Sequence, residues 1–192
     1  MIKPGQKLRI KNIDRVIFPE GASENKKDRF RLAWFAYSWT LFADMGEVNY
    51  CIVNEEGLYV SIPKEDVHPL KKIYLCGPIT GVVNKNVEAF THYRDLMIKA
   101  GYEVINPHEL NHSEHADSWE EYMKVDFLEM IKCDFLGLMF SQFWKNSKGC
   151  MAELFMADTL KIPIIDMDTM QELKFEFILE FVYKKSMQKA SV

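Results

Sequence analysis

The chain has 192 residues, 24 Lys and Arg against 28 Asp and Glu, a formal charge of −4 and a hydrophobic share of 48%. That length holds one good core, or one core with a small satellite, and the lack of net positive charge excludes nucleic-acid binding by phosphate neutralisation, so no nucleic-acid partner is expected. With no run of about 18 apolar residues and an opening, MIKPGQKLRIKNIDR, that lacks the apolar stretch of a signal peptide, the expectation is a cytoplasmic protein with no membrane partner.

The first third reads as a small accessory domain, 1–68, of α+β or β-barrel-like character. KLRIK and RVIF read as short strands, and EVNYCIV, Asn54-Glu55-Glu56-Gly57 and LYVSI read as a hairpin closed by a four-residue turn. Between them, Asp28 to Asp44 is free of glycine and proline, and Phe30, Trp34, Tyr37 and Leu41 recur at helical spacing, so a helix is expected there. A boundary falls in Lys64 to Lys72, where IPKEDVHPLKK mixes two prolines with several charges.

From 72 to 192 strand and helix patterns alternate, which predicts a parallel sheet with covering helices. KIYLCG is the first strand, Asn84 to Ala100 a helix closed by Gly101, and YEVIN the second strand. Ser118, with Glu121 three residues on, opens the next helix with capping-box spacing. CDFLGLMF is a buried strand, Gly149 to Lys161 a helix, IPIIDM a strand, and Thr169 to Lys185 a closing amphipathic helix. In such a sheet, ligands bind beyond the carboxyl ends of the strands. The loops that carry chemistry are then Gly77-Pro78-Ile79-Thr80-Gly81, Asn106-Pro107-His108 and Lys145 to Gly149.

Two carboxylates interrupt apolar helix faces. Glu153 stands among Gly149, Cys150, Met156, Ala157 and Leu160, and Asp126 among Trp119, Tyr122, Met123 and Met130. An ionised carboxylate on a packed face costs several kcal/mol unless it is paired, neutralised or at an open edge. From the pattern alone, Glu153 is either a charge favoured by the helix N-terminus or a reacting group. Asp126 is either a buried structural aspartate or a second reacting carboxylate, since retaining glycoside cleavage uses two carboxyls. Ser147 and Gly149 precede a helix start suited to an anion. Asp134 reads as structural, and His108, His112 and His115 as a solvated loop rather than metal ligands. The four scattered cysteines read as reduced structural thiols. Neither a dinucleotide fingerprint nor a P-loop is present, so no metal and no cofactor is expected.

Taken together, IYLCGPITG, YMKVDFLEMIKCDFLGL and SKGCMAELFMADTLKIPII resemble the nucleoside 2-deoxyribosyltransferase family and its relatives that hydrolyse nucleotide N-glycosidic bonds. The likeness spans about Lys72 to Asp168 and is nearest to an uncharacterised branch associated with phages and bacteria. It implies an α/β, flavodoxin/Rossmann-like three-layer sandwich with a parallel sheet. It also implies that Glu153 is the nucleophile at the anomeric carbon, Asp126 the carboxylate that protonates or positions the departing base, and Tyr74 the hydroxyl that holds the nucleophile. Gly77, Ile79 and Thr80 would line the pocket. Members acting on free nucleosides carry an aspartate six residues before the nucleophile, whereas the nucleotide hydrolases resemble this chain in having serine. Ser147 therefore favours a deoxynucleoside 5′-monophosphate, with Gly149 beside it. Better-known members have a glycine where this chain has Met151, and the N-terminal unit has no counterpart in minimal members. The expected activity is cleavage of a deoxynucleotide N-glycosidic bond, by hydrolysis or base exchange, through a covalent glycosyl-glutamate. The alternative is an inactive nucleotide-binding sensor with the same cleft. A small-molecule nucleotide or nucleoside partner and a homo-oligomer follow from the same resemblance.

Overall fold

A computed structural model describes residues 2–11, 13–25, 27, 39–112, 118–140, 143–180 and 182. The chain divides into two compact units, Met1–Leu70 and Lys71–Val192.

In the first unit, apolar residues alternate along each strand with the two-residue period that gives a sheet one buried face. Leu8 and Ile10 of β1 (Lys7–Ile10), Trp39 and Leu41 of β2 (Trp39–Asp44), Tyr50 and Ile52 of β3 (Asn49–Asn54), and Val60 and Ile62 of β4 (Tyr59–Pro63) gather with Val67 of β5 (Val67–Pro69) into one core. The five strands form an antiparallel sheet in the order β4-β3-β2-β1-β5. The β3–β4 hairpin turns at Asn54, whose side-chain oxygen accepts the N–H groups of Glu56 (3.1 Å) and Leu58 (2.8 Å). Gly57 supplies the left-handed residue, φ 76°.

Two expectations for this unit change. RVIF makes a single bridge, Ile17 to Ser61, rather than a strand, because only that residue finds a ladder partner. The segment 39–44 is strand β2, not the end of an aromatic helix. Paired to β1 and β3, Trp39 and Leu41 point to the same face, so tertiary pairing overrides their helical spacing. Phe30, Trp34 and Tyr37 lie outside the described residues.

The second unit is built on β6 (Lys72–Cys76), β7 (Glu103–Ile105), β8 (Phe135–Leu138), β9 (Ile164–Asp166) and β10 (Glu172–Leu173), in the order β10-β9-β8-β6-β7. β6, β7, β8 and β9 run parallel and β10 antiparallel, so the sheet is mixed. Helix α1 (Val87–Lys99) covers one face: Phe90, Tyr93 and Met97 pack with Ile73 and Leu75. Helices α2 (Trp119–Met130) and α3 (Lys148–Thr159) cover the other, where Met130, Cys150, Leu154 and Ala157 meet Tyr74, Cys76, Leu136 and Leu138. Strand alternation on β6 thus sends Tyr74 and Cys76 towards α2 and α3. Asp134 joins β6 to the start of β8, accepting the Lys72 N–H and the Lys71 ammonium, each at 2.8 Å.

The closing helix begins later than expected. Residues 167–169 turn, β10 pairs with β9, and helix is present at 175–180. The edge of β9 offers unpaired backbone groups that β10 satisfies. Helix α1 also starts late, at Val87 instead of Asn84, because Asn84, Lys85 and Asn86 hold left-handed backbone (φ 48°, 50° and 64°). Such a run cannot join a right-handed helix, and asparagine tolerates it best. Asn86 is buried there and donates to the carbonyl of Pro78 at 3.0 Å, tying the loop after β6 to α1. Among the described residues no helix is long and apolar enough to cross a membrane.

Candidate active site

Strand order in the second unit reverses between β6 and β8, since the chain leaves β6 for β7 on one side and returns to β8 on the other. In open α/β sheets such a reversal is where ligands bind, beyond the carboxyl ends of the strands. Tyr74 and Cys76 from β6, Asp126 from α2, and Cys150 and Glu153 from α3 are all buried.

The Tyr74 hydroxyl donates to Glu153 Oε1 at 2.9 Å, with Tyr74 at 0% and Glu153 at 6% exposure. Burial pushes the Glu153 carboxyl up to about 8, against hydrogen bonds from Cys76 and Tyr74 that favour its charged form, while the charge of Asp126 pushes the same way as burial. Burial also raises Asp126, opposed by its bond to His112 and by Tyr74. Tyr74 itself is raised well above a normal phenol, first by burial and then by the charges of Glu153 and Asp126. The result is two carboxyls and a phenol sharing one dry region, in which a second negative charge is disfavoured by the first. Perturbation by burial together with a named charge partner is a mark of functional sites.

The structure therefore brings Tyr74, Asp126 and Glu153 together and moves Glu153 from the expected open edge of its helix. It is the sixth residue of α3, past the first turn and enclosed. Met151 is half-buried and packs against the same core as Tyr74 and Leu154. Its side chain extends the hydrophobic wall.

His112 is the residue that sequence reading missed. Its Nε2 lies 3.0 Å from Asp126 Oδ1, and its ring tilts against Tyr122 with centroids 4.8 Å apart. His108 is not a solvated loop residue either. Asn106 accepts its N–H at 3.1 Å, its ring meets Phe90 edge-on at 4.8 Å, and burial lowers its basicity. Its Nε2 is buried with no hydrogen-bond partner among the described residues. His115 lies outside the described residues. The only signal available in sequence was a histidine-rich loop following a predicted strand, since 14 residues separate His112 from Asp126.

The substrate-pocket candidates divide. Ile79 is half-buried and packs with the α1 side of the core, while Thr80 is exposed. Gly77 is a packing glycine: a Cβ there would stand 2.5 Å from Met139 Sδ and 3.2 Å from Phe90 Cζ. Gly149 has ordinary room, its nearest neighbours being Met123 Sδ at 3.7 Å and Ser147 Oγ at 3.8 Å. Ser147 caps α3, its Oγ accepting the Cys150 N–H at 3.3 Å. The hydroxyl keeps its own proton to donate, and the first N–H groups of the helix have no carbonyl within it to bond. Lys148 places its ammonium 3.8 Å from the centre of the Trp119 ring, linking the starts of α2 and α3.

No curated protein matches the chain. Residues 71–166, half of the chain, match the model of a family described as a domain of unknown function, DUF4406. The matched span runs from the residue before β6 to the end of β9 and carries Tyr74, His112, Asp126, Ser147 and Glu153, so the chain belongs to the DUF4406 family.

Proposed function

We propose that the second unit cleaves the N-glycosidic bond of a deoxynucleoside 5′-monophosphate, with Glu153 as nucleophile. The observation that carries this reading is the buried Tyr74–Glu153 hydrogen bond beside a second carboxyl, Asp126, that is itself held by a histidine. In the proposed reaction the Glu153 carboxyl first gives its proton to solvent, and its Oε then attacks the anomeric carbon as the bond to the base breaks. The electron pair of that bond leaves on the base, which takes a proton from the Asp126–His112 pair. Water or a second base then displaces the glutamate. Tyr74 aligns the attacking oxygen. The strand order, with the first parallel strand between the second and third, supports a flavodoxin/Rossmann-like sheet whose crevice receives the nucleotide. The buried Nε2 of His108, without a partner among the described residues, offers a polar contact to the base, and the α3 N-terminus with the Ser147 proton suits the phosphate.

The test is a panel of deoxynucleosides and their 5′-monophosphates, with and without a second free base, read by chromatography of released and exchanged bases. Release from monophosphates in preference to nucleosides is expected. Ser147→Ala is expected to lower that preference and, by removing a cap, to destabilise the fold by about 1 kcal/mol. Binding of a monophosphate without release or exchange across the panel would instead favour the sensor reading.

His112→Gln gives a second expected outcome. His112 opposes the rise of Asp126, so its loss pushes the Asp126 carboxyl further up. The acid is then weaker and less well oriented. A fall in kcat on the order of 10- to 100-fold, with the pH profile of kcat displaced upward and KM changed much less, is expected, because positioned proton transfer is worth about 10²–10⁴. An unchanged profile with intact folding would place His112 outside the proton path.

A further inference from the structure

The proposed reaction uses only part of what β6 and α3 bring together. The sulfurs of Cys76 and Cys150 and a carboxylate oxygen of Glu153 all lie within 4.8 Å of one another. The three residues are 0%, 1% and 6% exposed. Cys76 Sγ is 4.0 Å from the Cys150 carbonyl oxygen, which holds the start of α3 against the end of β6. Among the described residues this is the one trio of His, Cys, Asp and Glu side chains gathered so closely.

Two thiols and a carboxyl gathered in one dry place are a metal-ligand set. A dication supplies the missing charge and displaces the protons to solvent, so metal binding and proton release are coupled. Two sulfurs and one carboxylate select a borderline-soft ion of the zinc class over magnesium or calcium, which take oxygen shells. Tetrahedral zinc at about 2.3 Å from each sulfur needs the two sulfurs about 3.8 Å apart, so side-chain adjustments of under about 1 Å suffice.

We propose that Cys76, Cys150 and Glu153 form a site for one zinc-class cation, and that filling it takes the Glu153 carboxylate out of the reaction. The binding half stands on the cluster geometry alone; the inhibitory half rests on the reading of Glu153 as nucleophile. Zinc availability would thereby set the active fraction of the enzyme. Cys51 and Cys133, the other two thiols, belong to no such cluster among the described residues.

The test uses the reduced full-length chain, titrated with Cd²⁺ as a spectroscopic stand-in and with Zn²⁺. Thiolate-to-Cd²⁺ charge-transfer absorption, proton release and base release are followed together. The expected result is a charge-transfer band that saturates near one equivalent per chain, with protons released and turnover lost in step, and turnover restored by a chelator. Cys150→Ala is expected to weaken metal binding by at least about 100-fold while leaving Cys51→Ala and Cys133→Ala like the parent protein. A rise in thermal midpoint with Zn²⁺ in the parent but not in Cys150→Ala is a second expected readout of binding to the folded chain. Absence of the band at one equivalent, or its persistence in both Cys150→Ala and Cys76→Ala, overturns the site. If the metal binds but the chain releases no base even when metal-free, the site stands and the glycosidase reading falls.

Discussion

Glu153→Gln is expected to abolish base release and, at the same time, to make the fold more stable at neutral pH. Removing a covalent nucleophile typically costs a factor on the order of 10⁴ or more in turnover. The stability gain follows from burial. In the unfolded chain Glu153 titrates near its ordinary 4.5, whereas in the folded chain it is pushed up to about 8 by desolvation, despite its bonds from Cys76 and Tyr74. Between those values the native state holds a proton that the unfolded state has lost. Stability from this group is therefore complete below about 4.5 and declines as pH rises through about 8. The slope is about 1.4 kcal/mol per pH unit, which amounts to roughly 3 kcal/mol by neutral pH. Glutamine has no such proton to lose, and its amide oxygen still accepts the Tyr74 hydroxyl. Urea unfolding of both proteins from pH 5 to pH 8 is the measurement. The two curves are expected to diverge as pH rises, with the variant above the parent. Parallel curves would show that the Glu153 carboxyl is not held protonated, and residual base release in the variant would move the nucleophile elsewhere.

Phe90→Ala is expected to produce the largest loss of stability in the second unit. The ring is fully buried between α1 and β6. It also meets His108 edge-on and lies 3.2 Å from where a Cβ on Gly77 would be. Emptying that volume costs about 3–5 kcal/mol, from lost burial and from the cavity left behind. Because the same ring supports both the loop after β6 and the Pro107–Glu109 turn, substrate binding is expected to weaken with it. Denaturant unfolding gives the stability change, and the KM of base release gives the second effect. Phe90→Leu, which retains most of the volume, is expected to recover most of both. Recovery of stability without recovery of KM would separate the packing role from loop support.

The two effects concern different links in the chain from sequence to function. The first depends on one charge placed where charge is disfavoured. The second depends on volume, and any apolar side chain of similar size satisfies it in part.

Much was legible in the sequence where a local rule has a single solution. The Asn54–Gly57 turn has a left-handed position that glycine fills, and two short apolar runs flank it; the hairpin follows. Ser118 announced a helix start because a hydroxyl three residues before an orphan N–H can cap it. Asp126 and Glu153 were visible as carboxylates on apolar helix faces, since helical period alone assigns a residue its face.

What the chain could not announce by itself were meetings between residues far apart in sequence. Trp39 and Leu41 carry helical spacing but pair as strand, because neighbouring strands supply hydrogen bonds and a buried face that local spacing does not report. His112 reads as a polar loop residue until α2 places Asp126 within 3.0 Å of it. Cys76 and Cys150 are 74 positions apart, and only the packing of α3 on β6 sets their sulfurs beside one carboxylate. Residue type and period are local properties, and they determined most of the elements of the second unit and the odd carboxylates. The burial that raises Glu153 and the partners that hold it are properties of the closed fold, and only the tertiary structure decided them.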